Sequence, residues 1–154
     1  MQRRTFLKGS LAGSSVAVAV GAGLLTPGAV MAAWPKRAFE TESMETAMND
    51  LFGSAQAQPS DDISIKAPDI AENGAVVPVS VTTGIAGIEE IAIIAEKNGS
   101  PLAANFKLAS NAKGFVSTRI KMAKTSNVIA VVKAGGKAYS ARKEVKVTIG
   151  GCGG

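Results

Sequence analysis

From residue 63 onward, apolar and polar residues alternate along the chain with a period of two, as at Ile63, Ile65 and Ala67. This period places alternate side chains on opposite faces of a β-strand. Between Ile88 and Glu96 the apolar residues are nearly continuous, which predicts a strand that is buried on both faces. Segments of this kind recur at roughly the 8–12-residue spacing of small β-domains, and they begin at Ile63, Val77, Ile88, Ala104, Val116, Val128 and Ala138.

Turn-forming residues separate these segments. Gly135 and Gly136, between Ala134 and Lys137, predict a two-residue β-hairpin. Pro78 predicts an edge or bulge position, and Lys143 predicts a bulge or a point where the last strand leaves the core. About seven short strands without an intervening helix predict an antiparallel β-sandwich of immunoglobulin-like type over residues 63–149.

Before the β-region, the apolar spacing is helical. From Lys36 to about Ala55 the sequence predicts one amphipathic helix with acidic residues on its other faces. Residues 53–62 have the composition of a polar linker, so the segment 33–62 is assigned as helix and linker. The apolar stripe of this helix is formed by Phe39, Met44, Ala47, Met48, Leu51 and Phe52.

The first 32 residues have the layout of an export signal, with a basic start, an uncharged apolar stretch and small residues before the expected cleavage after Ala32. The alternative is an uncleaved membrane anchor of about 20 residues, but the glycines, serines and Pro27 argue against a lipid-facing helix. We therefore expect no stable membrane insertion after cleavage. The basic start resembles a twin-arginine signal, which implies export of a folded protein, and its residues are Arg3, Arg4, Phe6, Leu7 and Lys8.

Charge changes this picture little. Without residues 1–32 the chain holds 14 basic and 12 acidic residues, a net charge of +2. Residues 33–72 are acidic, with eight acidic and three basic side chains, whereas residues 73–154 have eleven basic and four acidic ones. The basic half favours anionic partners by electrostatic steering. Few aromatic residues accompany it, so we expect no nucleic-acid binding.

Histidine is absent, and cysteine occurs once, at Cys152. The chain therefore excludes Cys-His and Ser-His catalytic pairs and histidine ligands for metals or haem. We predict no catalytic residue, no metal site and no cofactor. A single cysteine in an exported chain indicates an intermolecular bond or a reactive thiol, since it has no partner for an internal disulfide.

Cys152 lies between two pairs of glycines, Gly150 and Gly151 before it and Gly153 and Gly154 after it. Glycines provide conformational freedom and bury no side chain, so residues 150–154 are predicted to be a flexible arm. A strand ending at Ile149 would let Cys152 reach roughly 10 Å beyond the sandwich. No basic residue lies nearer in sequence than Lys146, so the sequence predicts a thiol that other proteins modify, not a catalytic nucleophile.

Three other readings of the tail are possible: disordered padding, a buried cysteine, and a cysteine that cross-links subunits. Burial conflicts with the four flanking glycines. The cross-link predicts a doubled mass that a reductant reverses. A ubiquitin-like sulfur carrier with a diglycine terminus is a further alternative, but it needs ATP-dependent activation and no cysteine.

Several segments resemble the SoxY family, the sulfur-carrying subunits of the periplasmic thiosulfate-oxidising Sox system. They are the twin-arginine start, Leu51-Phe52-Gly53, residues 94–101 (IAEKNGSP), residues 115–132 (FVSTRIKMAKTSNVIAVV) and residues 144–154 (EVKVTIGGCGG). The resemblance implies a non-catalytic carrier in the periplasm, with intermediates attached to Cys152 as thiosulfonate and sulfane species. It also implies a heterodimer with SoxZ and visits from the SoxAX haem enzyme, the SoxB sulfohydrolase and, where present, the SoxCD sulfane dehydrogenase.

Overall fold

The computed structural model describes residues 34–151. The predicted export signal and residues 152–154, which include Cys152, lie outside this range. Apart from Trp34, the described residues belong to a compact unit that begins at Pro35. Its elements are α1 (Lys36–Glu40), α2 (Met44–Phe52), β1 (Gln58–Pro59), β2 (Ile63–Lys66), β3 (Ile70–Ala71), β4 (Val77–Thr83), β5 (Ile88–Ala95), β6 (Leu102–Lys107), β7 (Phe115–Ile120), β8 (Ser126–Ala134) and β9 (Lys137–Val147).

The strands of the described region form two sheets. The six-stranded sheet has the order β1-β9-β8-β5-β6, with β3 also paired to β9, and the three-stranded sheet has the order β2-β4-β7. The pairings are antiparallel except that the two-residue strands β1 and β3 run parallel to β9. The mainly β, two-sheet architecture of an immunoglobulin-like sandwich is therefore confirmed. The predicted linker contains the short strand β1, which the sequence did not reveal.

Alternating residues of both sheets form the core between them. Val77, Val79 and Val81 of β4 are buried, and so are Ile91 and Ile93 of β5, in one apolar cluster that also includes residues of β8. Each fully buried aliphatic side chain contributes roughly 1.5–3 kcal/mol relative to an exposed one. In β4, for example, the alternation of apolar and polar residues thus indicates which face of the strand points toward the core.

The other face of the six-stranded sheet is covered by the helices. Ala92 and Ile94 of β5, which alternate with the inner residues, pack with Ala38 of α1 and with Ala47 and Met48 of α2. The strand predicted to be buried on both faces is therefore buried on both faces. The helices thus cover the face of the six-stranded sheet that is turned away from the three-stranded sheet.

The predicted single helix is two helices, and this part of the prediction is wrong. Thr41 has extended backbone angles (φ −76°, ψ 143°) and ends α1. Ser43 then begins α2, since its side-chain oxygen accepts a hydrogen bond from the Thr46 N–H at 3.3 Å. Within residues 34–151 no helix combines the length and the apolar character needed to cross a bilayer.

The structure shows which of the positions predicted for Pro78 and Lys143 these two residues occupy. Pro78 is in β4, the middle strand of its sheet, but the pairing of β4 with β2 stops at Ser80, so only β7 lies beside Pro78. The proline is therefore at a local edge. At Lys143 the β8–β9 register is unbroken, so there is no bulge. Its ammonium instead leaves the core and donates to the Ala67 carbonyl oxygen at 2.7 Å.

The predicted hairpin between β8 and β9 has positive φ at both loop residues, +55° at Gly135 and +74° at Gly136. Replacing Gly136 with alanine should lower the free energy of unfolding by about 1 kcal/mol, because a β-carbon disfavours the left-handed region. Gly135→Asn should be nearly neutral, since asparagine tolerates that region in this turn type. Urea denaturation midpoints at an unchanged m-value measure both effects, and equal midpoints for Gly136→Ala and the native chain would contradict the prediction.

Candidate functional site

Strand β9 leads directly into the C-terminal tail, and its last residues pair with the short strand β3. Lys146 and Val147, the last residues of β9, pair with Ile70 and Ala71 of β3. Beyond the strand, the Thr148 N–H donates to the Ala71 carbonyl oxygen at 3.1 Å. The tail therefore continues alongside the segment that follows β3 and does not leave the sandwich at Val147.

Three backbone segments meet where the described chain ends. The Gly74 N–H donates to the Ile149 carbonyl oxygen at 2.7 Å, and the Gly151 N–H donates to the Met122 carbonyl oxygen at 3.0 Å. The Met122 N–H in turn donates to the Gly74 carbonyl oxygen at 2.7 Å. We name this meeting of Gly74, Met122–Ala123 and Ile149–Gly151 the glycine crossing. Each of its three segments is hydrogen-bonded to the other two through main-chain atoms.

The glycine crossing has no room for β-carbons. A β-carbon on Gly151 would lie 2.7 Å from the Gly74 carbonyl oxygen and 2.9 Å from the Ala75 Cα. One on Gly74 would lie 2.8 Å from the Gly151 nitrogen, and one on Gly150 would overlap the Ala123 carbonyl oxygen. Contacts below 3.0 Å are essentially never made by real β-carbons. These three positions therefore need glycine for close backbone approach.

Two asparagine side chains shape the loops of the crossing. Asn98, in the turn after β5, donates through Nδ2 to the Lys121 carbonyl oxygen at 2.8 Å. Its Oδ1 accepts from the Ala123 N–H at 2.9 Å. Asn73 Oδ1 accepts from the Ala75 N–H at 2.9 Å and so closes a local turn around Gly74. Both loops lie between strands and have no regular strand-to-strand hydrogen bonds, so these side chains hold them in place.

The predicted site residues divide at the end of the described chain. Cys152, Gly153 and Gly154 lie beyond it, and their roles stay predictions. Gly150 and Gly151 were predicted to belong to a flexible arm, but the structure shows them packed in the glycine crossing, with Gly151 buried. The chain is therefore held by the sandwich as far as Gly151, and the predicted arm would begin after Gly151 and not after Ile149.

Sequence reasoning missed Gly74, Asn98, Met122 and Ala123. An Asn-Gly pair at residues 73–74 and another at 98–99 were the available signals, and each indicates a turn. Nothing in a single sequence indicates that these turns meet the tail, because their contacts with it depend on tertiary packing.

Basic residues lie near Gly150 and Gly151, which we call the tail root. Lys121 and Lys124 are exposed and flank Met122–Ala123, and Lys146 is exposed two residues before Thr148. A shallow cavity of about 300 Å³ opens beside Asn98 and includes Arg119 and Lys121 but no acidic residue in its lining. Four basic side chains and one exposed acidic one, Glu72, thus lie at this end of the sandwich.

Other features of the described region lie elsewhere or offer no metal chemistry. A cavity of about 440 Å³ lies between the segment 52–59 and the β8–β9 hairpin, and no residue of the glycine crossing lines it. Between residues 34 and 151 no group of three or more acidic side chains is placed to hold a metal ion.

Comparison with known proteins identifies the family of this chain. The family model of the sulfur oxidation protein SoxY matches residues 48–152, a span that ends on the single cysteine of the chain. The sulfur carrier protein SoxY from Chlorobium limicola f thiosulfatophilum is 52% identical, with a TM-score of 0.61, and the match covers 67% of this chain and 94% of that one. No match is found among curated proteins.

A more distant solved structure shares the fold alone. The superoxide reductase (neelaredoxin) from Ignicoccus hospitalis is 17% identical, with a TM-score of 0.52, and the match covers 59% of this chain and 94% of that one. The SoxY family model covers well over half of the 154 residues, and the resemblance inferred from the sequence is thereby confirmed. This chain belongs to the SoxY family of sulfur oxidation proteins.

Proposed function

We propose that the chain carries intermediates of thiosulfate oxidation covalently on Cys152 and presents them to partner enzymes, without catalysing a reaction itself. The observation that carries this proposal is that the SoxY family match extends to residue 152, the one cysteine of the sequence. A role in sulfur oxidation follows from the family. The cysteine as attachment point, the intermediates and the partners are the proposed part.

The proposed loading step joins the Cys152 sulfur to the outer sulfur of thiosulfate. A sulfur–sulfur bond forms, the thiol proton is released, and an electron pair passes to a haem-containing partner enzyme. The product is a cysteine-bound thiosulfonate, which is anionic. A hydrolase then adds water and releases the terminal sulfonate as sulfate, leaving sulfane sulfur on the cysteine. The thiol and its adducts are the only groups that this chain contributes to the chemistry.

The charges around the tail root support an anionic load. Arg119, Lys121, Lys124 and Lys146 lie at this end of the sandwich, and the half of the chain from residue 73 onward holds eleven basic against four acidic residues. Opposite charge attracts the anionic donor and its adduct over about 8–10 Å at physiological ionic strength. Exposed lysines near the tail can therefore raise the rate of encounter without taking part in bond formation.

The partners and the compartment follow from the family resemblance and from the first residues. We propose a heterodimer with SoxZ, loading by SoxAX, sulfate release by SoxB and, where present, oxidation of the sulfane sulfur by SoxCD. Arg3 and Arg4 support export through the twin-arginine route to the periplasm. Because that route moves folded proteins, a partner that lacks its own signal could be exported with this chain.

Mass spectrometry of the protein from thiosulfate-grown cells tests this function. We expect masses of thiosulfonate and sulfane adducts on the C-terminal peptide, and we expect a reductant to remove them. Cells grown without thiosulfate supply the control. An unmodified thiol during active thiosulfate oxidation would contradict the proposal. A stable doubled mass that a reductant reverses, without any sulfur adduct, would favour the cross-linking alternative.

A further inference from the structure

The loop between β7 and β8 is held at the glycine crossing by a side chain from a different part of the fold. Residues 121–123 lie outside both strands, yet four of their main-chain polar groups have partners within the crossing or its support. The Met122 N–H and carbonyl are used by Gly74 and Gly151. The Lys121 carbonyl and the Ala123 N–H are both used by Asn98.

We propose that Asn98 is a positioning residue for the tail: it holds the loop that receives Gly150 and Gly151, and so fixes the position of the residue that precedes Cys152. A carboxamide suits this task because one end donates and the other accepts. The two backbone groups it bridges belong to residues on either side of Met122, so both bonds together fix the direction of the Met122 carbonyl. That carbonyl is the acceptor of the Gly151 N–H.

Asn98 is itself firmly placed. Its N–H donates to the Ala95 carbonyl oxygen at 3.1 Å, and Ala95 is the fully buried last residue of β5. Strand β5 lies inside the six-stranded sheet and is packed on both faces. The path from the core of the sandwich to the tail thus runs from β5 to Asn98, from Asn98 by hydrogen bonds to Lys121 and Ala123 on either side of Met122, and from Met122 by a hydrogen bond to Gly151.

The glycines of the crossing allow the tail to lie close enough to the loop to be positioned by it. Because Gly150 and Gly151 have no β-carbons, the backbone of the tail lies in direct contact with Ala123 and Gly74. At this distance a small shift of the loop also displaces the tail.

Loss of the Asn98 side chain would leave the loop 121–123 bonded to Gly74 through the Met122 N–H alone, so the acceptor of the Gly151 N–H would no longer be fixed in direction. The bonds that Thr148 and Ile149 make with residues 71–74 would remain, so the expected loosening is local to Gly151. The significance of this positioning for sulfur transfer rests on the proposed carrier role of Cys152, whereas the positioning itself does not.

Backbone order parameters measured by NMR on the isotope-labelled protein test the proposal. In the native protein the Gly151 amide should have an order parameter of about 0.85, typical of rigid backbone. In Asn98→Ala it should fall below about 0.6, the flexible range. Asn98→Asp keeps an acceptor for the Ala123 N–H but loses the donor to Lys121, so its value should lie between the two and provides a second test if Asn98→Ala does not fold.

Asn127→Ala is the matched control. Asn127 makes a side-chain bond of the same kind, from Nδ2 to Glu96 Oε2 at 2.8 Å, and this bond joins β8 to the end of β5 without involving the glycine crossing. Its removal should leave the Gly151 order parameter at the native value. A Gly151 amide that is already flexible in the native protein, or one that stays rigid in folded Asn98→Ala or Asn98→Asp, overturns the proposal.

The order parameters are measured with an unloaded thiol, so they are independent of the carrier role. If Cys152 never acquires sulfur adducts but Gly151 loosens on loss of the Asn98 side chain, the proposed function fails and the positioning stands. If adducts form but the Gly151 amide does not respond to Asn98, the positioning fails and the carrier function stands.

Discussion

A Cys152→Ser variant should lose thiosulfate-dependent respiration completely while keeping the stability of the native fold. Serine replaces the sulfur with an oxygen that forms no stable bond to sulfane sulfur, so no intermediate can be attached. The buried hydrophobic core of the described region lies between Ala38 and Val145, and we expect it to form in the same way with serine at position 152. The free energy of unfolding should therefore change by less than about 0.5 kcal/mol.

Oxygen uptake of thiosulfate-grown cells and thermal unfolding of the purified variant measure the two parts of this result. A double variant that combines Cys152→Ser with Ser110→Cys is the matched control. Ser110 is exposed in the loop before β7, at the opposite end of that strand from Met122, so it returns a thiol to the same domain but away from the tail. It should not restore respiration. Normal respiration in Cys152→Ser would refute the carrier role.

Gly74→Ala should destabilise the domain by about 1–3 kcal/mol, the usual cost of forcing an extra carbon into packed surroundings. Gly74 uses its N–H on Ile149 and its carbonyl on Met122, so it is fixed from both sides. A β-carbon there would lie 2.8 Å from the Val147 Cγ1 and would also overlap the Met122 carbonyl oxygen. The end of β9 and the loop after β7 would have to move apart together.

Gly84→Ala is the control for this substitution. Nothing lies within 4 Å of a β-carbon at Gly84, and its φ is outside the left-handed region. The same chemical change should therefore be neutral or stabilise the protein by about 0.4–1 kcal/mol through the unfolded chain. Chemical denaturation of both variants gives the comparison, and equal midpoints for the two would show that the close approach at Gly74 is unimportant.

The sequence was sufficient for the strands that carry the core. The residues that alternate in β4 and β5 are the ones that the two sheets bury, because each side of a strand faces one environment along its length. The turn at Gly135 and Gly136 was equally clear, since few residues other than glycine adopt positive φ. Local chemistry determines both features.

The break between the two helices was predictable in principle. Ser43 followed by Glu45 has the chemistry of a helix start, with a capping oxygen and a carboxylate in the first turn. The continuous apolar stripe across residues 39–52 masked this signal, because both helices present apolar residues to the same sheet face. Strands β1 and β3, of two residues each, are too short to show a period, and they form only because β9 lies beside them.

The tail was the hardest part to predict. Gly150 and Gly151 were interpreted through what glycine permits, namely freedom of the backbone. The structure gives a second reason for glycine there, which is the proximity of Gly74 and Ala123. Those residues are distant in sequence, so the pattern of the tail alone cannot distinguish a glycine that moves from a glycine that fits.

The position of Gly151, the last described residue, limits how far a sulfur carried on Cys152 could move from the sandwich. With the backbone anchored at Gly151, adjacent to Cys152, a single peptide unit of about 3.8 Å separates the anchor from the Cys152 Cα. A shorter tether confines its thiol to a smaller volume and raises its effective concentration at a surface that is docked nearby. If Cys152 carries sulfur as proposed, an enzyme that binds this end of the sandwich would meet that sulfur at a high local concentration, provided that its own catalytic centre lies close to the contact.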